Sequence, residues 1–125
     1  MKTKHGKLVG LKRSPYGEEG YDSELEKYYM MELEGMPGVK SWTKKHGIKI
    51  PYKLFLISHN YLPDFLVEFE DGSKEIHETK GLPLLFWLST KMKRQSAEVY
   101  CKELGWKYKM ITKDKIVFYQ NIAKC

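Results

Sequence analysis

The stretch from Tyr61 to Lys80 constrains this chain more than any other. Two runs of strand-forming residues, Phe65 to Phe69 and Glu75 to Lys80, flank the turn residues Glu70-Asp71-Gly72, and strand–turn–strand in so few residues means an antiparallel hairpin. Its register depends on the turn. A two-residue Asp71-Gly72 loop would set Glu78 against Phe65 and send Asp64 to the opposite side. A three-residue loop, with Gly72 in the left-handed conformation, sets Asp64 against Glu78 and Glu68 against Lys74. The three-residue loop is the expected one. Alternation also puts Glu78 and Lys80 on one face and turns His77 to the other.

The rest of the chain supplies partners for that hairpin. Ser23 followed by Glu26 has capping-box spacing, and Leu25, Tyr29 and Leu33 recur every four residues, which predicts a helix ended by Gly35, Pro37 and Gly38. Strands are expected at Val39 to Trp42 and Ile48 to Ile57, with Pro51 at an edge or bend and a loop at Ser58 to Asn60. From about Phe86 to Leu104 the period becomes helical, with Ala97, Tyr100, Cys101 and Leu104 on the apolar side and Gly105 as the stop. Trp106, Tyr108 and Met110 then alternate as a strand, and Ile116 to Tyr119 reads as a further one. Helix, strands, helix, strand implies an α/β domain with a mixed central sheet flanked by helices. Phe65, Val67 and Phe69 against Leu66 require cover on both faces of that sheet.

Composition narrows the class of partner. With 125 residues and 42% hydrophobic content the chain can bury one core, and a net charge of +6 suits contact with a polyanion, nucleic acid first. Residues 1 to 20 hold Lys2, Lys4, Lys7, Lys12 and Arg13 among four glycines and read as a flexible basic arm ahead of a single domain at 21–125. Lys91, Lys93 and Arg94 offer a second basic face, suited to tracking a phosphate backbone or to plain solvation. Leu82 to Leu88 is too short to span a bilayer, and Cys101 and Cys125 lack zinc-ligand spacing, so a cytoplasmic protein with free thiols is expected. His59 in its loop could touch a phosphate, while Phe86 and Trp87 suit the core or a dimer contact.

Chemistry converges on four residues. Asp64 and Glu78 brought together would repel unless a cation sat between them, and hard oxygen donors favour Mg²⁺ or Mn²⁺. Such a metal can make a nucleophile from water and neutralise charge on phosphorus, while Lys80 beside it can orient or deprotonate the water. Glu26 could complete the ligand shell. Each element also has a plain reading: Ser23 to Glu26 as a cap, Asp64 as a strand start, Glu78 and Lys80 as an exposed face.

Ser23-Glu24-Leu25-Glu26, Leu62-Pro63-Asp64-Phe65-Leu66 and Glu78-Thr79-Lys80-Gly81-Leu82 resemble the three motifs of the PD-(D/E)XK nuclease superfamily. The likeness covers roughly Ser23 to Thr112 and is strongest to phage endonuclease I-type Holliday-junction resolvases and related small phage and transposon endonucleases. It implies an αβββαβ core and metal-dependent hydrolysis leaving 5′-phosphates. Asp64, Glu78 and the Thr79 carbonyl would be ligands, Lys80 would act on the water, and Glu26, with Glu24 as competitor, would support. Junction resolution would further imply a homodimer. The longer Asp64 to Glu78 interval and short C-terminal part depart from the resolvases. Nicking or nonspecific cutting, a catalytically silent nucleic-acid-binding module and a partner-dependent accessory protein are the alternatives.

Overall fold

A computed structural model describes residues 5–81 and 87–123. The elements in chain order are β1 (Gly6–Leu8), β2 (Glu19–Tyr21), α1 (Glu24–Gly35), β3 (Val39–Thr43), β4 (Ile50–Leu54), β5 (Ile57–Tyr61), β6 (Phe65–Phe69), β7 (Lys74–Lys80), α2 (Trp87–Leu104), β8 (Lys107–Thr112), a 3-10 turn (Lys113–Lys115) and α3 (Val117–Ala123). The central sheet has strand order β3-β6-β7-β8, antiparallel except for the last pair. The parallel β7–β8 pair needs a crossover, and α2 supplies it. Set aside the β1–β2 and β4–β5 hairpins, and α1, β3, β6, β7, α2 and β8 reproduce the expected αβββαβ order.

The β6–β7 turn has the three-residue form. Glu68 pairs with Lys74 and Phe65 with His77. Phe69 N–H bonds to Ser73 O at 2.9 Å, and Gly72 sits at φ +87°. A side chain is disfavoured there, so the glycine fixes the loop length and with it the register.

Both faces of the sheet are covered. Leu25, Tyr29, Met30 and Leu33 of α1 pack with Val39, Trp42, Phe65, Val67 and Ile116 on one side. Ile50, Tyr61, Ile76, Ala97 and Cys101 form the core on the other, beneath α2. Ser23 caps α1, its Oγ accepting from Glu26 N–H at 3.1 Å, a contact worth about 1 kcal/mol. On the α1 face, neutral His77 bridges elements: Tyr29 OH donates to its Nδ1 at 2.5 Å and its Nε2 donates to Glu75 at 2.8 Å. Burial lowers the His77 pKa and so favours that neutral form.

Several expectations are corrected. The run Ile48 to Ile57 is not one strand followed by a loop at Ser58 to Asn60. It is the hairpin β4–β5, with Leu54 paired to Ile57 around Phe55 and Leu56. Both turn residues have positive φ, 52° and 68°, a conformation costing a non-glycine residue about 1–2 kcal/mol. Ile116 to Tyr119 is the entry to α3 rather than a strand, with Gln120 N–H bonded to Ile116 O. Leu104 is 48% exposed and lies outside the core, because α2 ends there at the surface. Residues 5–20, expected as part of a flexible arm, form β1–β2 and the loop between them. Leu8, Leu11 and Tyr21 pack on the α1 core, and Glu34 accepts from the backbone N–H of Lys12 and Arg13. Apolar residues scattered among the lysines tie this segment down. Phe86, the Trp87 side chain and Cys125 lie outside what is described.

Candidate active site

One end of the central sheet gathers the charged residues. There β3 ends, β6 begins, β7 ends, and α1 presents its first turn. Asp64 stands one residue ahead of β6, at the register position opposite Glu78. Its backbone N–H donates to Glu78 Oε1 at 2.9 Å. Its own carboxylate turns toward the next residue of β7: Oδ2 accepts from Thr79 N–H at 2.9 Å and from Thr79 Oγ1 at 2.8 Å. Two acidic residues are thereby laced across one strand pair.

Neither carboxyl ionises readily. Burial, and then the charge of Glu26, raise the Asp64 pKa to about 6, against the pull of Thr79 and Lys44. Burial, and then the charge of Asp64, raise Glu78 to about 8, opposed by Tyr61, the Asp64 N–H and Lys80. Such repulsion between neighbouring, half-buried carboxylates is what a bound cation relieves. The donor set, anionic oxygens plus a strand carbonyl at Thr79, fits a hard divalent ion. Among the described residues, no group of three or more His, Cys, Asp or Glu side chains is assembled closely enough to hold a metal.

Glu26 has partners of its own. Its charge reaches Asp64, but its Oε1 accepts from Lys44 Nζ and from Asp22 N–H at 3.1 Å. It therefore serves the helix cap and an ion pair, and this structure brings it beside Asp64 without aligning it as a third ligand. Lys80 is half-buried at the end of β7 on the Glu78 face.

The basic residues divide. Lys93 Nζ lies over the Tyr52 and Tyr61 rings, 5.9 and 5.7 Å from their centroids, on the side of the sheet that carries Glu78. Arg94 pairs loosely with Glu98 at 3.7 Å, and Lys91 is exposed. Lys12 is exposed, whereas the Arg13 guanidinium bonds to the Leu33 and Met36 carbonyls at the C-terminal end of α1. Arg13 is thus engaged in holding the N-terminal segment to the helix. His59, expected in a loop, lies on β5 and stacks on Tyr52 at 5.3 Å.

Sequence reading missed four contributors. Lys44 is the cation between Glu26 and Asp64. Fully buried Glu19 accepts from Ser14 Oγ, Thr43 Oγ1 and Lys44 N–H, and so fixes the backbone that carries Lys44. Tyr61 hydrogen-bonds Glu78 and Tyr108. His46 takes Ile48 N–H on Nδ1 at 2.9 Å, so its Nε2 carries the proton and donates to Pro63 O at 2.7 Å, immediately ahead of Asp64. Most of these contacts join residues distant in sequence, Ser14–Glu19 and His46–Ile48 being the local ones.

A four-stranded mixed sheet between helices, with an Asp and a Glu-x-Lys meeting at one end, is the restriction-endonuclease-like arrangement of PD-(D/E)XK nucleases. The chain belongs to the TnsA-like endonuclease N-terminal family, whose match spans residues 36–113. That span contains Asp64, Glu78, Thr79 and Lys80 and begins after Glu26. A search of curated proteins found no match. Members of the PD-(D/E)XK superfamily generally use divalent metals. No helix among the described residues is long and apolar enough to cross a membrane.

Proposed function

We propose that the chain is a divalent-metal-dependent DNA endonuclease in which Asp64, Glu78 and the Thr79 carbonyl hold Mg²⁺ or Mn²⁺. The carrying observation is the pairing of Asp64 with Glu78 across β6 and β7, two half-buried carboxyls each raised in pKa by partial desolvation and further by a neighbouring anion. A divalent ion held there would lower the pKa of a bound water and neutralise charge at phosphorus. Thr79 holds the Asp64 carboxylate in place through its N–H and hydroxyl. Lys80 orients or deprotonates the attacking water and offsets charge on the scissile phosphate. Glu26 supports Asp64 from α1 by holding Lys44, whose charge favours the ionised Asp64 carboxylate. Lys91, Lys93, Arg94 and Lys12 contact the phosphate backbone, with Arg13 stabilising the segment that presents Lys12.

Within this reading, the likeness to small phage enzymes makes branched DNA the first substrate to try, cut by a homodimer that places two incisions symmetrically. Nonspecific or nicking cleavage of duplex is the alternative. The test is cleavage of labelled linear duplex, single strand and four-way junction with Mg²⁺ or Mn²⁺, by the parent, Asp64→Ala and Lys80→Ala. Cutting that needs metal and is lost in both variants is expected. Cutting that survives both would remove these residues from the active site, and a parent that binds DNA yet cuts none of the three would point to a silent binding module.

A further inference from the structure

The β4–β5 hairpin carries an apolar tip with no cover among the described residues. Phe55 is 78% exposed, Leu56 94% and Ile57 61%. The two-residue turn demands positive φ at both central positions, which Asn-Gly would satisfy with ease, yet Phe and Leu stand there. Turn chemistry therefore does not explain these two residues.

The surroundings indicate what the tip meets. From Val39 to Pro63 the chain has no Asp or Glu and carries Lys40, Lys44, Lys45, Lys49 and Lys53. Lys49 and Lys53 are exposed on the hairpin and its approach. Its stem is braced by the Tyr52–His59 stack and by Lys93 of α2 over Tyr52. An apolar point on a rigid, wholly basic finger complements a polyanion with an apolar interior, which is stacked duplex DNA. The strand running back from the tip leads through Leu62 and Pro63 to Asp64.

We propose that the β4–β5 hairpin is a DNA-engaging finger whose Phe55-Leu56 tip inserts as an apolar wedge between base pairs flanking the cut. This deepens the endonuclease reading and rests on it. Eight residue steps separate Leu56 from Asp64, an upper reach of roughly 26 Å, so the wedged step lies within about eight base pairs of the scissile phosphate.

The test uses Phe55→Asn with Leu56→Gly, which keeps the turn and removes the wedge, so misfolding is not the expected result. Binding in chelator to short duplexes carrying 2-aminopurine at TA steps reports affinity and unstacking together. The parent should brighten the probe. The variant should melt no lower than the parent, lose the brightening and bind about 10-fold more weakly, with its salt dependence unchanged. Lys49→Ala with Lys53→Ala should instead reduce the salt slope by about 2 and keep the brightening. A parent that binds duplex without brightening, or a tip variant that binds and brightens like the parent, overturns the wedge alone and leaves the tip to a protein partner. A parent that binds no DNA overturns the wedge and the endonuclease reading together.

Discussion

The backbone N–H of Asp64 donates to Glu78 Oε1 at 2.9 Å, while the Asp64 carboxylate turns past it to Thr79. The strand ladder thus sets the spacing of the two acids, and their side chains have little freedom to move apart. Electrostatic strain built in this way is expected to appear as pH dependence.

In metal-free protein, the folded state keeps protons on Asp64 up to about pH 6 and on Glu78 up to about pH 8, while the unfolded chain releases them near pH 4. The folded state binds more protons across that window, so stability falls as pH rises through it. Melting in chelator should show Tm declining from pH 5 to pH 8. Glu78→Gln should flatten the decline and raise Tm at pH 8 by roughly 5 °C. An unchanged slope in that variant would mean Glu78 is not the titrating group.

Metal should act in the opposite sense. Mg²⁺ or Mn²⁺ binds the ionised carboxylates, so its stabilisation should grow between pH 6 and 8 and vanish in Asp64→Asn. Thermal shift against metal concentration measures this without cleavage. An Asp64→Asn protein stabilised as much as the parent would place the ion elsewhere.

Glu26 and Lys44 should behave as a unit. Glu26→Gln is expected to slow cleavage by about 10- to 100-fold, the usual cost of losing a support rather than a ligand, and far less than Asp64→Ala. Lys44→Met leaves Glu26 and Asp64 repelling each other. Adding Glu26→Gln to it should recover stability, with an interaction energy of about 1–2 kcal/mol in a urea double-mutant cycle. Strict additivity would dissolve the pairing.

Tyr29→Phe tests the opposite face. It leaves His77 Nδ1 buried and unpaired, at a cost of about 1–3 kcal/mol in urea unfolding. Cleavage under folding conditions should be unchanged, since His77 faces α1 and away from Lys80.

What could be read in the sequence follows the range of the interactions. Gly72 and the count from Asp64 to Glu78 are local and favoured the three-residue loop and register that the structure has, and Ser23-x-x-Glu26 marked the α1 cap. The β4–β5 turn was hidden because Phe55 and Leu56 carry the signature of a strand interior. At Ile116 to Tyr119 four residues are too few to separate the two periods. The attachment of residues 5–20 depends on Glu19 and Glu34, whose partners lie up to 25 positions away. The engagement of Glu26 by Lys44 was invisible for the same reason.

His46 has a mechanical consequence. Its ring is bonded at one nitrogen to the entrance of the β4–β5 hairpin and at the other to the carbonyl just before Asp64. A displacement of the hairpin therefore reaches the acidic pair by two routes, along β5 into Asp64 and across one imidazole that ties the entrance of β4 to the same carbonyl.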